Sequence, residues 1–468
     1  MKIHPGQHIH LVGIGGSGMS AIARVLLGQG YRVSGSDRGA NDLTAALARD
    51  GATVYQGHDA AYIAGADALI VTSAVKEDHV EVAAARAAGV PVYKRQDIMS
   101  DLMEGKTVIA VAGTKGKTTT TSMIVHILRE CGADPSYIVG GVMGNTGTNA
   151  GVGSGRVFVV EADEYENMFL GLKPHIAVIT NIEWDHPDFF KTPEEMVDAF
   201  RQFVNLLPGD RDLFVCADSP LAAKLAAERR EKGQVAWIYG TARPLPIPQV
   251  PFGPFDVKFE KAGGSTFEIY WPFMKIAEPV HIGVPGMHNV LNATAALLAA
   301  NSGGGDLYCG IEALTTFIPP ARRFELMGEV GEVAVISDYA HNPMSIRAVL
   351  DAAKQRYPDR QIWAVWQPHT YSRTAALMDD FVNAFRLADH VLVTDIYAAR
   401  EQPVPGVTSA AVVAKMPHPD ARHTPTFADA VAALREGVKP PAAVIIMSAG
   451  DAPQIGEAYL RALRDAQA

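Results

Sequence analysis

Short apolar runs separated by helical stretches set the rhythm of this chain. From His8 to about Lys94 the runs are HIHLVGIG, YRVSGSD, ATVYQG, ALIVTSA and VPVYKR. Strand and helix signals in alternation predict a parallel sheet with crossover helices. A second unit of the same kind opens at KTVIAVAGTKGKTTTTSMIVHIL, where an apolar strand runs through a polar loop into a helix, and continues through VFVVEADE and HIAVITNIEWDH. Between about Pro244 and Pro285 the chain turns rich in Pro, Gly and aromatics, which predicts short strands and turns and hence a small antiparallel flap. After PPARRFE the α/β rhythm restarts with VAVISDYA, QIWAVWQP, HVLVTDIYA and AAVIIMSAGD. The pattern therefore predicts an α/β protein of three domains, over residues 1–105, 106–320 and 321–468. No internal repeat or low-complexity tract interrupts it.

Composition narrows the class of function. A chain of 468 residues is too long for one ordinary core and matches about three domains of usual size. A formal charge of -10 argues against a nucleic-acid surface and for small-molecule partners. Cys131, Cys216 and Cys309 lie far apart and match no metal or disulfide spacing, which fits a reducing cytoplasm and a filler role. The start, MKIHPGQHIHLVGIGG, has no charged-then-apolar signal pattern, and no apolar run approaches the ~20 residues of a membrane span. A cytoplasmic protein without membrane or nucleic-acid partners is expected, as a monomer or dimer.

Two glycine loops carry the candidate chemistry. Gly13, Gly15 and Gly18 form G-x-G-x-x-G between a strand and a helix, with Gly16 and Ser17 inside the loop and Asp37 after the next strand. Such a turn offers backbone amides and a helix N-terminus to a diphosphate, and the acid to a ribose, as NAD or another nucleotide diphosphate would require. The second loop, Gly113-Thr114-Lys115-Gly116-Lys117-Thr118 followed by Thr119, is a nucleotide loop shortened by one glycine, since Val111 stands where the first would fall. Its amides can still wrap phosphate oxygens, Lys117 can neutralise the β/γ charge, and the Thr118 hydroxyl can reach Mg²⁺. Glu161 ends one following strand, and Glu183, Asp185 and His186 follow another. Ligand-facing residues of open α/β sheets gather at the carboxyl ends of strands, which places these groups beside the loop, where Mg²⁺ would sit.

These residues, with VTSAV, GTNA, TNIEWDHPD, GMHNVLNA, RRFE, DYAHNP, QPHTYSRT and SAGD, resemble the Mur ligases over almost the whole chain. The family's ATP-dependent enzymes add amino acids or peptides to UDP-N-acetylmuramic acid precursors of peptidoglycan, and it is known for the shortened loop. The resemblance implies a Rossmann-like N-terminal domain holding the UDP-sugar, a P-loop ATPase-like central domain holding ATP and carrying the flap, and a Rossmann-like C-terminal domain. GIGGSGMS, QPHTYSRT and YAAREQPVPG look like the branch that joins L-alanine to the lactyl carboxylate of UDP-N-acetylmuramate through an acyl phosphate. Carried over by position, Gly113 to Thr119 would hold ATP, with His288, Asn289 and Asn292 on the adenine side and Arg323 and Asp338 reaching the γ-phosphate and ribose. Thr118, Glu161 and His186 would bind Mg²⁺. Gly13, Gly15, Gly16, Ser17, Gly18, Asp37, Ser73, Thr148 and Asn149 would meet the UDP-sugar, and Tyr339, Asn342, His369 and Arg373 the amino acid. Lys117, Arg323, His369 and Arg373 are the expected catalytic set.

The chain departs from the alanine branch in two places. His341-Asn342 stands where that branch usually has two histidines, and Thr370 where it has an arginine, both near the expected amino-acid site. Other branches use a carbamylated lysine some way after the metal histidine; this chain has Arg201 in DAFRQFV, as fits the alanine branch. Competing readings are a relative that attaches a preformed tripeptide in murein recycling, an NAD-dependent oxidoreductase argued from GIGGSG and Asp37 alone, and a non-catalytic, ATP-gated sensor of cell-wall precursors.

Overall fold

A computed structural model describes residues 2–72, 75–241, 252–260, 263–271, 276–399 and 401–467. The N-terminal sheet contains β1 (His8–Val12), β2 (Arg32–Asp37), β3 (Thr53–Gln56), β4 (Ala68–Val71) and β5 (Val92–Lys94), all parallel in the order β3-β2-β1-β4-β5. That is half of a doubly wound dinucleotide fold, with β1 at the point where the strand order reverses. β1 and β4 are almost wholly buried because crossover helices cover both faces, so their apolar runs are continuous rather than alternating.

The central sheet comprises β6 (Thr107–Ala112), β7 (Ser136–Ile138), β8 (Ala150–Gly151), β9 (Val157–Glu161), β10 (Ile176–Ile179), β11 (Asp212–Cys216) and β12 (Trp237–Tyr239). Their order is β12-β11-β10-β6-β9-β7-β8, with β8 antiparallel to β7. β13 (Gly253–Phe259), β14 (Ser265–Trp271) and β15 (Ile276–Ile282) form the antiparallel flap within the stretch expected from its composition. The C-terminal sheet holds β16 (Glu325–Val330), β17 (Val333–Asp338), β18 (Gln361–Trp366), β19 (His390–Val393), β20 (Ala421–His423) and β21 (Ala442–Met447), in the order β16-β17-β21-β18-β19-β20. β16 is an antiparallel edge strand that the apolar pattern does not announce, because ELMGEV is half charged or glycine and mostly solvated.

One apolar cluster runs unbroken from Leu11 and Ile22 through Ile98 and Leu102 to Phe158, Phe169 and Phe200, so the N-terminal and central domains share a core. The C-terminal domain has its own core on the two faces of its sheet, around Trp366 and Phe385 and around Trp363 and Tyr459.

The cysteine reading is corrected by the fold. Cys131 and Cys309 form a disulfide across 178 residues of sequence, while Cys216 is free and buried. The bond joins the end of the helix Lys117–Glu130 to the helix Leu307–Leu314, which packs against it. Spacing could not reveal a pair that only tertiary packing brings together. No helix among the described residues is long and apolar enough to cross a membrane.

Candidate active site

The loop 113–116 joins β6 to the helix Lys117–Glu130 and depends on its two glycines. Gly113 has φ 135° and a Cβ there would lie 2.0 Å from Thr180 Oγ1; Gly116 has φ 85° and a Cβ would lie 2.5 Å from Asn292 Oδ1. Asn181 braces the loop by accepting from the Lys115 amide (2.9 Å) and donating to the Lys115 carbonyl (2.9 Å). The Thr114 hydroxyl bonds both the amide and the carbonyl of Glu183. Thr119 is buried in the first helical turn. The helix has no side-chain cap, so its first amides and the positive end of its dipole are free to meet an anion.

Lys117 turns back into the loop. Its Nζ donates to the Gly113 carbonyl (2.6 Å) and to both carboxylate oxygens of Glu164 (2.9 and 2.7 Å). Burial alone would lower the Lys117 pKa, but Glu164, Asp163 and Glu161 outweigh it and raise it. Burial pushes Glu164 up to about 7 despite the ammonium beside it. Thr118 Oγ1 donates to Glu161 (3.0 Å), whose other oxygen accepts from the Gly140 amide (2.6 Å). His186 Nε2 lies 3.9 Å from Glu164, its ring 4.8 Å from that of Tyr165, and burial lowers its pKa to about 4.

Among the described residues no three His, Cys, Asp or Glu side chains are placed to share a metal, so Glu161 and His186 are not drawn into one such cluster. The Thr118 hydroxyl and the Glu161 carboxylate nevertheless suit Mg²⁺. They are adjacent hard oxygens, and burial raises the Glu161 pKa against the pull of Lys117 and Arg323, as expected where a cation would complete the balance.

The C-terminal domain closes the site from the opposite side. Arg323 Nη2 donates to Thr118 Oγ1 (3.3 Å), and the Arg322 and Arg323 guanidinium groups flank the Tyr339 ring at 5.1 and 5.0 Å. Asp338 accepts from the amides of Phe324 (2.8 Å) and Ala340 (2.7 Å), so in this structure its carboxylate anchors the strand start that carries Arg323. His288 is held neutral by burial and by Arg323, with its pKa down to about 4. Asn289 donates to the Pro285 carbonyl (2.7 Å), and Asn292 lies against Gly116.

Asp185 is the electrostatic centre of the interface. It is 1% exposed and accepts from Lys115 Nζ (2.8 Å), Arg373 Nε (3.0 Å) and Asn342 Nδ2 (3.1 Å). Burial opposes its charge, yet Lys115 and Arg373 hold its carboxyl well below the ordinary range. Arg373 also donates to His369 Nδ1 (3.1 Å). The two departures from the alanine-branch pattern have local roles here. Asn342 caps the helix Pro343–Arg356 in a capping box with Ser345, and Thr370, at φ 64°, accepts from the Arg373 amide at the start of the helix Tyr371–Ala376.

In the N-terminal domain the loop 13–16 leads β1 into the helix Ser17–Gly28. Gly16 is its uncapped N-terminus, and a Cβ at Gly18 would meet Arg95 Nη1 at 2.5 Å. Asp37 accepts from the Gly15 amide (2.8 Å), tying the loop to β2. Ser17 donates to the Gly140 carbonyl (2.7 Å), and Asn149, fully buried, donates to Ser17 O (2.9 Å) and Ser20 Oγ (3.0 Å) while accepting from Arg24 (2.7 Å). Both thus stitch the N-terminal domain to the central one. Thr148 bonds the Tyr137 hydroxyl (3.0 Å). Ser73 lies outside the described residues.

Sequence reasoning missed the partners of these groups. Glu164 is the second glutamate of EADE, and the strand-end rule stops at Glu161. Asp185 was read as one carboxylate among several, Lys115 only as part of the loop, and Asn181 and His341 were given no role.

Along the chain, residues 8–107 match the Mur ligase family catalytic domain, 111–300 the Mur ligase middle domain, and 322–450 the Mur ligase glutamate ligase domain. The UDP-N-acetylmuramate–L-alanine ligase of Roseiflexus sp. (strain RS-1) is 38% identical over 98% of this chain and 99% of its own. The crystal structure of UDP-N-acetylmuramate-alanine ligase from Thermotoga maritima superposes with a TM-score of 0.80 at 27% identity, covering 98% of this chain and 100% of that one. A murein peptide ligase of Psychrobacter arcticus gives 0.73 at 26%, covering 98% and 99%.

Proposed function

This chain belongs to the Mur ligase family, and from that premise we propose that it joins L-alanine to the lactyl carboxylate of UDP-N-acetylmuramate, with cleavage of ATP, in peptidoglycan precursor synthesis. A carboxylate is a poor electrophile. Attack of its oxygen on the γ-phosphate of ATP turns that oxygen into a leaving group, and the amine then displaces phosphate from the acyl phosphate. Negative charge builds on oxygen at both stages, so fixed cations and amides aimed at the phosphoryl group are the main catalytic need.

The observation that carries this reading is the bond from Arg323 of the C-terminal domain to Thr118 of the phosphate loop, with Arg323 and Lys117 both acting on the Glu161 carboxylate. Lys117 exchanges its Glu164 contact for phosphate oxygens when nucleotide binds. Thr118 and Glu161 would hold Mg²⁺, while His186 lies against Glu164 and Tyr165. Bound there, Mg²⁺ supplies Lewis-acid neutralisation of the phosphate oxygens. His288, Asn289 and Asn292 lie on the nucleotide side and Asp338 supports Arg323. The N-terminal glycine loop receives the UDP diphosphate at the helix starting at Ser17. Arg373 and His369 bind the carboxylate of the incoming amino acid. Contact of the C-terminal domain with the loop excludes the water that would hydrolyse an acyl phosphate.

Phosphate release measured with ATP, UDP-N-acetylmuramate and a panel of amino acids and peptides tests the proposal. Release that requires both the sugar nucleotide and L-alanine is expected, with glycine and L-serine weaker. Preference for a tripeptide would move the protein to the recycling activity, and nucleotide binding without ligation would make it a sensor.

A further inference from the structure

We infer that His341 is the base of the second half-reaction: its Nε2 takes the proton that the α-ammonium group of the incoming amino acid must lose before it can attack. The inference rests on the ligase reading above and adds a residue to it. An ammonium has no lone pair, so at neutral pH a ligase that uses a free amino acid needs a proton acceptor at the amine.

The hydrogen-bond partners of two neighbouring histidines fix their tautomers in opposite senses. His341 Nδ1 lies 2.8 Å from the Tyr339 carbonyl oxygen, which can only accept, so Nδ1 carries the hydrogen. His369 Nδ1 lies 3.1 Å from Arg373 Nη1, which can only donate, so on this ring Nδ1 carries the lone pair and Nε2 the hydrogen. The ring centroids are 6.0 Å apart. One ring thus offers an acceptor at Nε2 and the other a donor, the pair that an amino acid presents an ammonium and a carboxylate to.

The surroundings keep His341 neutral before substrate arrives, so Nε2 holds its lone pair. The negative charge of bound acyl phosphate and amino-acid carboxylate then opposes Lys115 and Arg373 and raises its basicity. The groups facing it are Tyr339 on its own loop, His369 and Arg373 from the segment after β18, and Lys115 and Asp185 from the central domain. Burial first, then Lys115 and Arg373, hold its pKa well below the ordinary histidine value, with Asp185 and the Tyr339 carbonyl opposing. Burial and Arg373 likewise bring His369 down to about 4. Among the described residues His341 Nε2 makes no hydrogen bond, and the ring is only partly buried, which leaves that nitrogen to a ligand. The ring is also linked toward the phosphate site, through Tyr339 at 5.2 Å and Arg323 over Tyr339 at 5.0 Å.

The step balances. The ammonium gives one proton to Nε2, forming imidazolium, and the freed amine forms the C–N bond at the acyl carbon. The tetrahedral oxyanion collapses, the C–O bond to phosphate breaks, and the departing phosphate takes the second nitrogen proton. The imidazolium returns its proton to solvent after product leaves. His369 Nε2–H donates to the amino acid's carboxylate beside Arg373.

Hydroxylamine, already unprotonated at neutral pH, separates chemistry that needs a base from chemistry that does not. With ATP and UDP-N-acetylmuramate the wild type should form the alanyl product with L-alanine and a hydroxamate with hydroxylamine. His341→Gln should slow the alanine reaction about 10²-fold or more while hydroxamate formation changes by less than about threefold. Its rate with L-alanine should keep climbing with pH as free amine accumulates, where the wild type levels off. His341→Ala with added imidazole, which should regain rate with L-alanine alone, gives a second variant if the glutamine one folds poorly. Equal loss with both nucleophiles, or no loss with either, overturns the assignment. A wild type that yields no hydroxamate and no alanyl product overturns the ligase reading itself.

Discussion

Lys117 is a partly buried charge and Asp185 a buried one, and they answer to different partners. Lys117 sits against Glu164 inside the phosphate loop, so on the proposed reading its substitution removes a cation aimed at the transferring phosphoryl group. Lys117→Ala should lower kcat by about 10²–10³-fold or more, while calorimetry finds UDP-N-acetylmuramate bound within about twofold of wild type, because that ligand meets a different domain. Equal loss of both would contradict the assignment of the two loops. Asp185 instead lies between Lys115 and Arg373, cations from two domains. Asp185→Asn leaves them facing each other in a buried place, so it should cost about 3–5 kcal/mol of stability in denaturant unfolding and raise the KM for L-alanine. Unchanged stability would mean that the triad is solvated in solution. The turn from strand to helix was legible because G-T-K-G-K-T fixes its backbone within a few residues. The triad was not, since Lys115 and Arg373 lie 70 and 188 residues from Asp185, and no local pattern encodes such a meeting.

The elements that carry the site are held by contacts of two kinds, caps and cross-links. Asn342 and Thr370 looked like departures at the amino-acid site, yet each starts a helix, with Pro343 at the first helical position after Asn342. Asn342 spends its oxygen on the cap and its amide nitrogen on Asp185, so one side chain serves helix and interface together. The disulfide between Cys131 and Cys309 ties the far end of the phosphate-loop helix to its neighbour. Cys309→Ser should therefore lower stability by about 2–4 kcal/mol in oxidising buffer and leave it nearly unchanged under reduction, as read by denaturant unfolding; equal stability in both buffers would mean the thiols stay unpaired in solution. At the edge of the C-terminal sheet, Asp420 is held well below the ordinary carboxylate range by Arg422 and His390. A depressed acid adds stability above its unfolded value, about 3.9, and loses it as pH falls through its folded value. Asp420→Asn should flatten the acid side of the stability curve, and an unchanged curve would show the ion pair to be solvated. Strand and helix rhythm made most elements legible, whereas β16 escaped because an edge strand half open to water needs no apolar run.

Across the whole molecule, a chain of hydrogen bonds runs from Ser17 of the N-terminal domain to Gly140, Glu161, Thr118 and Arg323 of the C-terminal domain. The three α/β units were legible from the sequence. What joins them was not. The N-terminal and central domains share an apolar core, and the C-terminal domain reaches the site through polar and charged groups, Arg323, Asn342 and Arg373. Polar contacts of this kind can be made and broken at low cost compared with a shared core, which suits a domain that must admit substrates and then exclude water. All of this converges on one chemical claim, that the lactyl carboxylate is phosphorylated before the amine attacks. The direct measurement uses UDP-N-acetylmuramate labelled with ¹⁸O in both lactyl carboxylate oxygens, with ATP and L-alanine, and weighs the released phosphate by mass spectrometry. One ¹⁸O in each phosphate released is the predicted result, because the oxygen that attacked phosphorus departs with it; unlabelled phosphate alongside formation of the alanyl product would contradict the account.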